Sequence, residues 1–301
     1  RTKKKKIISR MRAYHGTTIA AGSLTGLEHV HDGFDLPLPM MIHTDCPHYW
    51  RYAKDGESED EFVARLVKNL ENLILKEGPD TIGAFIAEPI MGAGGVILPP
   101  QNYFREVQKI LKKHDILMIA DEVITGFCRT GKYFGCALYG IEPDMLTFAK
   151  GMSSAYQPIS AILMTKPIFE KVRDYSKTFH IFAHGFTNSA HPAATAVALE
   201  ALTIYEERDL AGHVSRLAPY LQERLREFED HPFVGEVRGV GFLGGLELVE
   251  DKKTKRSFDL DRNIGLGVMQ AAQDAGLIIR SLDDVLVFCP PLIFTKDHID
   301  E

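Results

Sequence analysis

Two charged residues, Asp121 and Lys150, each come directly after a short apolar run, at residues 116–120 and 145–149. If both runs are parallel strands of an α/β sheet, the two residues lie at its carboxyl edge, where such sheets bind ligands. A lysine can form a Schiff base with pyridoxal phosphate, and a carboxylate can keep the ring nitrogen of that cofactor protonated. The pair therefore indicates a pyridoxal phosphate site.

The same two residues also have a simpler interpretation. An aspartate after a buried strand is often a helix N-cap or a loop residue. The sequence Lys150-Gly151 is also a common way to leave a strand. Because the pair alone does not establish catalysis, the surrounding residues must decide between the two interpretations.

The elements that would position this pair alternate between helix and strand. Ser58 and Glu61 form the pattern of a capping box at the start of an amphipathic segment, and a buried run ends at Glu88. This alternation predicts an α/β fold with a mostly parallel sheet and helices on both faces. The predicted elements are a helix at 57–76, a strand at 82–87, a helix at 103–114 and a strand at 116–120.

The last third of the chain has a different pattern, with shorter strands between helices. It predicts a smaller α+β domain, so we expect a large cofactor-binding domain at 1–200 and a small C-terminal domain at 201–301. The predicted elements are helices at 193–207, 214–228 and 266–274, and strands at 234–238, 243–249, 277–280 and 285–288.

Residues 239–244 match the G-x-G-x-x-G pattern of dinucleotide-binding loops. That motif requires a strand before it and a helix that opens at the last glycine. Residues 245–250 instead alternate between apolar and polar like a strand. We therefore predict a glycine-bearing hairpin bend and reject a dinucleotide-binding enzyme.

The composition is that of an ordinary globular protein, with 301 residues, 45% hydrophobic, 25% charged, and a formal net charge of −6. This charge gives no reason to expect nucleic acid or an anionic membrane as a partner. Apolar runs stay well below the roughly 20 residues of a membrane span. The four cysteines form no CxxC pair, which favours reduced thiols and a cytoplasmic location.

A cluster of histidines invites a zinc interpretation. The spacing of His43, Cys46 and His48 matches no common structural zinc pattern, and no second ligand pair follows. We therefore expect a loop with packed or solvated histidines and no metal site.

The motifs around Asp121 and Lys150 resemble the signature of class III aminotransferases, which are fold-type I pyridoxal phosphate enzymes. The likeness covers nearly all of residues 7–300 and is closest to the ω-amino-acid branch, including plant-type 4-aminobutyrate–pyruvate transaminases. The matching segments are residues 120–123, 126–131, 143–144 and 149–151 for the family, and 43–51, 86–96 and 153–156 for the branch.

The resemblance implies a role for each central residue. Lys150 would hold pyridoxal phosphate as a Schiff base and then move the proton between the substrate carbon and the cofactor. Asp121 would pair with the pyridinium nitrogen. Arg280 would clamp the carboxylate of the keto acid, which suits its planar two-donor fork.

Other residues would surround the cofactor, according to the same resemblance. Tyr14 and His15 match an aromatic–histidine pair against the ring face and the entrance, where Tyr14 also meets substrate. Val123 would pack on the opposite ring face, and Glu88 would lie close to the site. Thr187 matches a threonine that reaches across a homodimer interface to the partner's cofactor phosphate.

Some positions depart from related enzymes. Ala93 replaces a glutamate and Ile124 a glutamine of the ornithine and 2-oxoglutarate-using 4-aminobutyrate enzymes, which favours pyruvate as the amino acceptor. Cys128, Thr125 and Asn188 also differ from the usual residues.

The resemblance therefore implies a homodimeric transaminase that moves an amino group from 4-aminobutyrate, β-alanine or a diamine to pyruvate or a similar keto acid. It also implies that about a hundred residues or more, with a phosphate-binding loop, precede residue 1. The alternatives are another class III reaction, such as an aminomutase or a decarboxylating transaminase, and a non-catalytic fragment.

Overall fold

The computed structural model describes residues 4–301, and two β-sheets organise them. The larger sheet has the strand order β2-β1-β3-β4-β5-β6, and its neighbours are parallel except for the antiparallel pair β5–β6. Its strands are β1 (Lys6–Arg10), β2 (Met41–Thr44), β3 (Ile82–Ala87), β4 (Leu117–Asp121), β5 (Met145–Phe148) and β6 (Ala161–Met164).

Helices connect and cover these strands. Ser58 caps α3 and exchanges hydrogen bonds with Glu61, so the predicted capping box is present. The helices are α1 (Ile19–Leu24), α2 (Tyr49–Tyr52), α3 (Glu59–Glu77), α4 (Tyr103–Lys113), α5 (Cys136–Tyr139), α6 (Lys166–Lys177), α7 (Pro192–Glu207), α8 (Leu210–Arg226), α9 (Ile264–Asp274) and α10 (Lys296–Asp300).

Successive side chains of the central strands enter two separate hydrophobic cores. Phe85 and Met118 pack with buried residues of α3 and α4, whereas Ile86 and Ile119 pack with Leu24 of α1 on the other side. This follows from the two-residue side-chain period of a strand. Both faces of the sheet are therefore covered by helices, which confirms the predicted α/β fold with a mostly parallel sheet.

The smaller sheet is antiparallel, with strand order β7-β8-β10-β9. A further core lies between this sheet and α8, where Val214, Leu221 and Phe242 are buried. The sheet and its helices form the predicted smaller C-terminal α+β unit. Its strands are β7 (Val234–Val240), β8 (Leu243–Leu248), β9 (Arg280–Leu282) and β10 (Val285–Phe288).

The glycine-rich segment at 239–244 is the hairpin between β7 and β8, as predicted. Gly241 has φ +60°, and a Cβ there would lie 2.5 Å from the backbone of Arg129 and Thr130. Glycine is therefore required both by the turn and by the close approach of another loop. No helix opens at Gly244, so the segment is not a dinucleotide loop.

One predicted strand is shifted. The sequence predicts a strand at 277–280, but β9 begins at Arg280. Leu277 and Ile278 are exposed, so their apolar pattern does not mark a buried strand. Among the described residues, no helix is long and apolar enough to cross a membrane.

Candidate active site

The strands of the larger sheet bring the predicted site residues to one edge. In the parallel register Ala87 of β3 pairs with Ala120 of β4, and Asp121 pairs with Thr147 of β5. Glu88 and Asp121 therefore leave the sheet side by side. Lys150 follows two residues after β5 ends.

The Asp121 carboxylate is buried and held by two neighbours. Its Oδ2 lies 2.7 Å from His15 Nδ1, and Val123 donates its backbone N–H to Oδ1 at 3.1 Å. The side chains of His15 and Asp121 are 2% and 7% exposed. Because each carboxylate oxygen has a partner, the group is fixed in one orientation at the end of β4.

The other ring nitrogen of His15, Nε2, is buried without a hydrogen-bond partner among the described residues. An unpaired buried polar atom is costly, and such atoms are often found at functional sites. The structure adds a contact that the sequence does not predict, since the His15 imidazole lies directly against Asp121. The predicted position of His15 at the ring face or entrance remains a prediction.

Glu88 is buried beside this pair, and its carboxylate accepts two hydrogen bonds from backbone N–H groups. Tyr14 donates its backbone N–H to Oε1 and Gly92 donates its backbone N–H to Oε2, each at 3.0 Å. Burial raises the pKa of the Glu88 carboxyl, and the negative charge of Asp121 adds to this, whereas His15 and Arg10 oppose it. Glu88 therefore links the segment after β1 to the loop after β3.

Lys150 begins a tight 3₁₀ turn, Lys150–Ser153, in a left-handed conformation with φ +39°. For a residue with a side chain such a backbone costs on the order of 1–3 kcal/mol, and it is often found at active sites. Lys150 as a whole is exposed, but the protein around its amine removes part of the water shell and lowers its pKa, while the carboxylates of Asp121 and Glu88 oppose this shift. The amine therefore lies within the electrostatic field of both acids.

Two residues of the C-terminal part influence the charge of Lys150. The charge of Arg280, at the start of β9, lowers the pKa of Lys150, and Cys289, directly after β10, acts in the opposite direction. Arg280 is exposed, as expected for a residue that meets a soluble substrate. Cys289 was not singled out in the sequence, because nothing near it in the chain indicates a site.

Thr187 lies apart from these residues. It is exposed in the loop between α6 and α7, and within residues 4–301 no hydrogen bond joins it to the other site residues. Its expected role across a subunit interface therefore remains a prediction.

Sequence reasoning missed the different role of Glu122, the neighbour of Asp121. Glu122 is fully buried and accepts hydrogen bonds from the Thr125 hydroxyl and from the backbone N–H groups of Gly135 and Cys136. Its side chain anchors the loop that follows β4. Two adjacent acids in a sequence do not reveal that Asp121 lies in the candidate site whereas Glu122 stabilises the loop.

The histidines and the cysteine of the zinc interpretation have separate partners. His43 Nε2 is 3.2 Å from the Thr25 carbonyl oxygen, and burial raises the pKa of Cys46 to about 11. His48 lies near Glu236 and Glu247 in a metal-sized group, but Arg238 forms ion pairs with both carboxylates. The guanidinium of Arg238 therefore already neutralises the two carboxylates that would have to bind a metal cation.

The residues at the edge fit pyridoxal phosphate. Lys150 offers a partly desolvated amine for the aldehyde, and Asp121 offers an oriented carboxylate for a protonated ring nitrogen. The unpaired His15 Nε2 leaves a buried polar atom beside that carboxylate.

Comparisons with known proteins show which family the chain resembles. The family model "Aminotransferase class-III" matches residues 1–301. The probable gamma-aminobutyrate transaminase 3, mitochondrial, of Oryza sativa subsp. indica is 50% identical over 301 residues, which are 100% of this chain and 59% of that protein. The gamma aminobutyrate transaminase 3, chloroplastic, of Solanum lycopersicum is also 50% identical over 301 residues, or 100% of this chain and 58% of that protein.

Solved structures give the same result. The omega transaminase from Pseudomonas jessenii in complex with PMP has a TM-score of 0.96 and 49% identity, covering 99% of this chain and 66% of that one. The chain spans only 58–59% of the length of the two curated relatives described above.

The family match extends over the whole chain, and the two curated relatives are each 50% identical to it. The chain belongs to the class III aminotransferase family.

Proposed function

We propose that the protein is a pyridoxal phosphate-dependent transaminase that moves an amino group from an amine donor to a keto acid in two half-reactions. The observation that carries this proposal is the convergence of Lys150 with the His15–Asp121 pair at one sheet edge. Membership of the class III family supports the same reaction type.

The chain's own residues supply the proton handling. The cofactor, when bound, would supply the electron sink that makes the substrate C–H bond acidic. Because partial burial lowers the pKa of Lys150, more of its amine is neutral near pH 7 than for a solvated lysine, and Nζ can accept a proton. Asp121, fixed by His15 and the Val123 N–H, suits a protonated ring nitrogen.

The remaining residues would bind and orient the reactants. We assign Tyr14 and Val123 to the two ring faces, and Glu88 to support of the loop at 92–95 through its bond to Gly92. Arg280 would bind the carboxylate of the keto acid. Its electrostatic influence on the pKa of Lys150 agrees with this role.

The donor is proposed to be an ω-amino acid or amine of the 4-aminobutyrate, β-alanine or diamine type, and the acceptor pyruvate or a similar keto acid. Ala93 and Ile124 support the acceptor, since Ile124 lies against Gly92, where an added Cβ would meet it at 2.3 Å. Relatives named as gamma-aminobutyrate transaminases support the donor class.

A homodimer is also proposed. Residues 156–186 present many exposed apolar side chains, a feature typical of a surface that binds another protein. Thr187 follows this segment directly in the sequence, which agrees with its proposed role at the partner's cofactor. The exposed residues are Tyr156, Ile162, Leu163, Met164, Phe169, Tyr175, Phe179, Ile181, Phe182 and Phe186.

The domain division at 200/201 and the cytoplasmic location remain proposals. The proposed boundary falls within α7, between the two sheets in sequence. The names of several relatives place those proteins in mitochondria or chloroplasts, so an organelle is the alternative location. Cell fractionation of the native protein distinguishes the two locations.

The function is tested by incubating the purified chain and pyridoxal phosphate with each donor class and pyruvate, with 2-oxoglutarate as a matched acceptor. We expect alanine from pyruvate, little glutamate, and no product with Lys150→Ala. A rearranged amine or released carbon dioxide would instead indicate the aminomutase or decarboxylating reaction. The absence of product, also in a chimera that adds the uncovered part of a matched relative, would indicate a non-catalytic protein.

A further inference from the structure

The turn that carries Lys150 is fastened to α7 by a tyrosine. The Tyr205 hydroxyl donates to the Gly151 carbonyl oxygen at 2.5 Å and lies 2.8 Å from Ser154 Oγ. Tyr205 is 5% exposed, and it is the one large side chain among the buried residues of α7, since the other three are alanines.

The direction of these hydrogen bonds is fixed by chemistry. The Gly151 carbonyl can only accept, so the tyrosine must donate its proton to it, and the Ser154 hydroxyl must then donate to the tyrosine oxygen. Burial raises the pKa of Tyr205, so the phenol keeps this proton at neutral pH. The result is a directed chain from Ser154 through Tyr205 to Gly151.

The turn needs such support, because its backbone is unfavourable at several positions. Lys150, Ser154 and Ala155 all have positive φ, at +39°, +48° and +62°. Strained conformations of this kind persist only where surrounding contacts fix them. Gly151 also packs closely against Phe127, where an added Cβ would lie 2.9 Å from the Phe127 Cβ.

We propose that Tyr205 is a positioning residue for Lys150: its hydroxyl holds the left-handed turn that presents the amine to Asp121 and Glu88. The placement depends only on contacts within the chain, whereas its catalytic consequence rests on the proposed function. Without the hydroxyl, the turn relaxes and the amine becomes better solvated.

The test measures the reactivity of Lys150 without cofactor. The chain is acylated with an amine-selective reagent across a pH series, and the rate at Lys150 is read by peptide mass spectrometry against exposed Lys132. We expect Tyr205→Phe to move the Lys150 profile to higher pH and to slow its labelling about three- to tenfold at about pH 8, the typical effect of one hydrogen bond. Lys132 should be unaffected.

Tyr133→Phe is the matched control. The ring centroids of Tyr133 and Tyr205 each lie 6.3 Å from that of Phe127. Unlike the Tyr205 hydroxyl, the Tyr133 hydroxyl makes no hydrogen bond within residues 4–301. A folded Tyr205→Phe variant whose Lys150 profile equals that of the control would overturn the proposal, even if its melting temperature falls. Should Tyr205→Phe fail to fold, Ser154→Ala keeps the ring and must move the profile in the same direction, or the proposal fails.

Trapping of pyridoxal phosphate by borohydride separates the two proposals. Failure to trap cofactor at Lys150, in the wild type and also in the chimera described above, contradicts the proposed function, and the acylation profile still decides the role of Tyr205. Normal trapping together with an unshifted profile in Tyr205→Phe overturns the positioning role alone.

Discussion

His15 and Asp121 lie 106 positions apart in the chain, yet His15 Nδ1 is 2.7 Å from Asp121 Oδ2 in a buried pair. The strand order explains this, because β1 and β4 flank β3 and end at the same edge. The imidazole thus fixes the carboxylate that we assign to the cofactor ring.

Replacement of His15 by alanine is expected to weaken cofactor binding about ten- to hundredfold. A hydrogen bond to a charged group contributes about 1.5–3 kcal/mol, and the Asp121 carboxylate would lose its orientation. Spectroscopic titration with pyridoxal phosphate measures the change. His31→Ala is the control, because within residues 4–301 the hydrogen-bond partner of this ring is the Gly22 carbonyl and not a site residue. Equal affinities for both variants would show that the His15–Asp121 pair does not serve the cofactor.

Asp121 and Glu122 are adjacent but should respond differently to loss of charge. Asp121→Asn should lower amino transfer at least about a hundredfold with little change in stability, because oriented charges at active sites have effects of this size. Glu122→Gln should lower the free energy of unfolding by about 1–3 kcal/mol, since an amide cannot accept all three hydrogen bonds. Activity assays and urea unfolding of both variants test this difference. Equal losses of activity and of stability in the two variants would contradict it.

The pKa of Lys150 makes stability depend on pH with a defined sign. Because burial lowers this pKa below 10.5, the unfolded chain binds more protons than the folded one between the lowered value and 10.5. Stability contributed by this group therefore rises with pH across that window. We expect the stability advantage of Lys150→Met over wild type to shrink as the pH approaches about 10.5.

Lys150→Arg provides the matched control for this measurement. The arginine keeps its charge throughout the pH window. In denaturant titrations, the difference in free energy of unfolding between Lys150→Arg and Lys150→Met should therefore not change with pH. If the difference in free energy of unfolding between wild type and Lys150→Met is also independent of pH, the Lys150 amine is not desolvated.

Arg238, in β7, joins the smaller sheet to the loop that follows β3. It donates to the Gly95 and Val96 carbonyls and pairs with Glu236 and Glu247. Arg238→Met should lower the free energy of unfolding by about 3–5 kcal/mol, because a buried carboxylate loses a partner. The exposed Arg256, paired with Glu250, should contribute no more than about 1 kcal/mol, so Arg256→Met is the control. Equal effects in chemical unfolding would contradict the role of Arg238.

Local patterns predicted much of this fold. The capping box at Ser58, the strand at 82–87 and the hairpin at 239–244 depend on neighbours within a few residues, so their signals are present in the sequence. Lys150 and Asp121 could be singled out because each follows an apolar strand.

The supporting contacts could not be predicted. The hydroxyl of Tyr205 meets a carbonyl 54 positions away, and Glu122 binds backbone groups whose positions depend on the loop geometry. Such contacts are determined by tertiary packing. The shifted strand at 277–280 has a related cause, since Leu277 and Ile278 are apolar but exposed.

The central claim is that Lys150 carries pyridoxal phosphate. Purified chain is incubated with the cofactor, reduced with borohydride, digested and mapped by mass spectrometry, beside Lys150→Ala and Lys132→Ala. We predict the reduced cofactor on the peptide that contains Lys150, in wild type and Lys132→Ala only. Labelling spread over surface lysines, or no label at Lys150 even in a chimera extended with the uncovered part of a matched relative, would contradict the account.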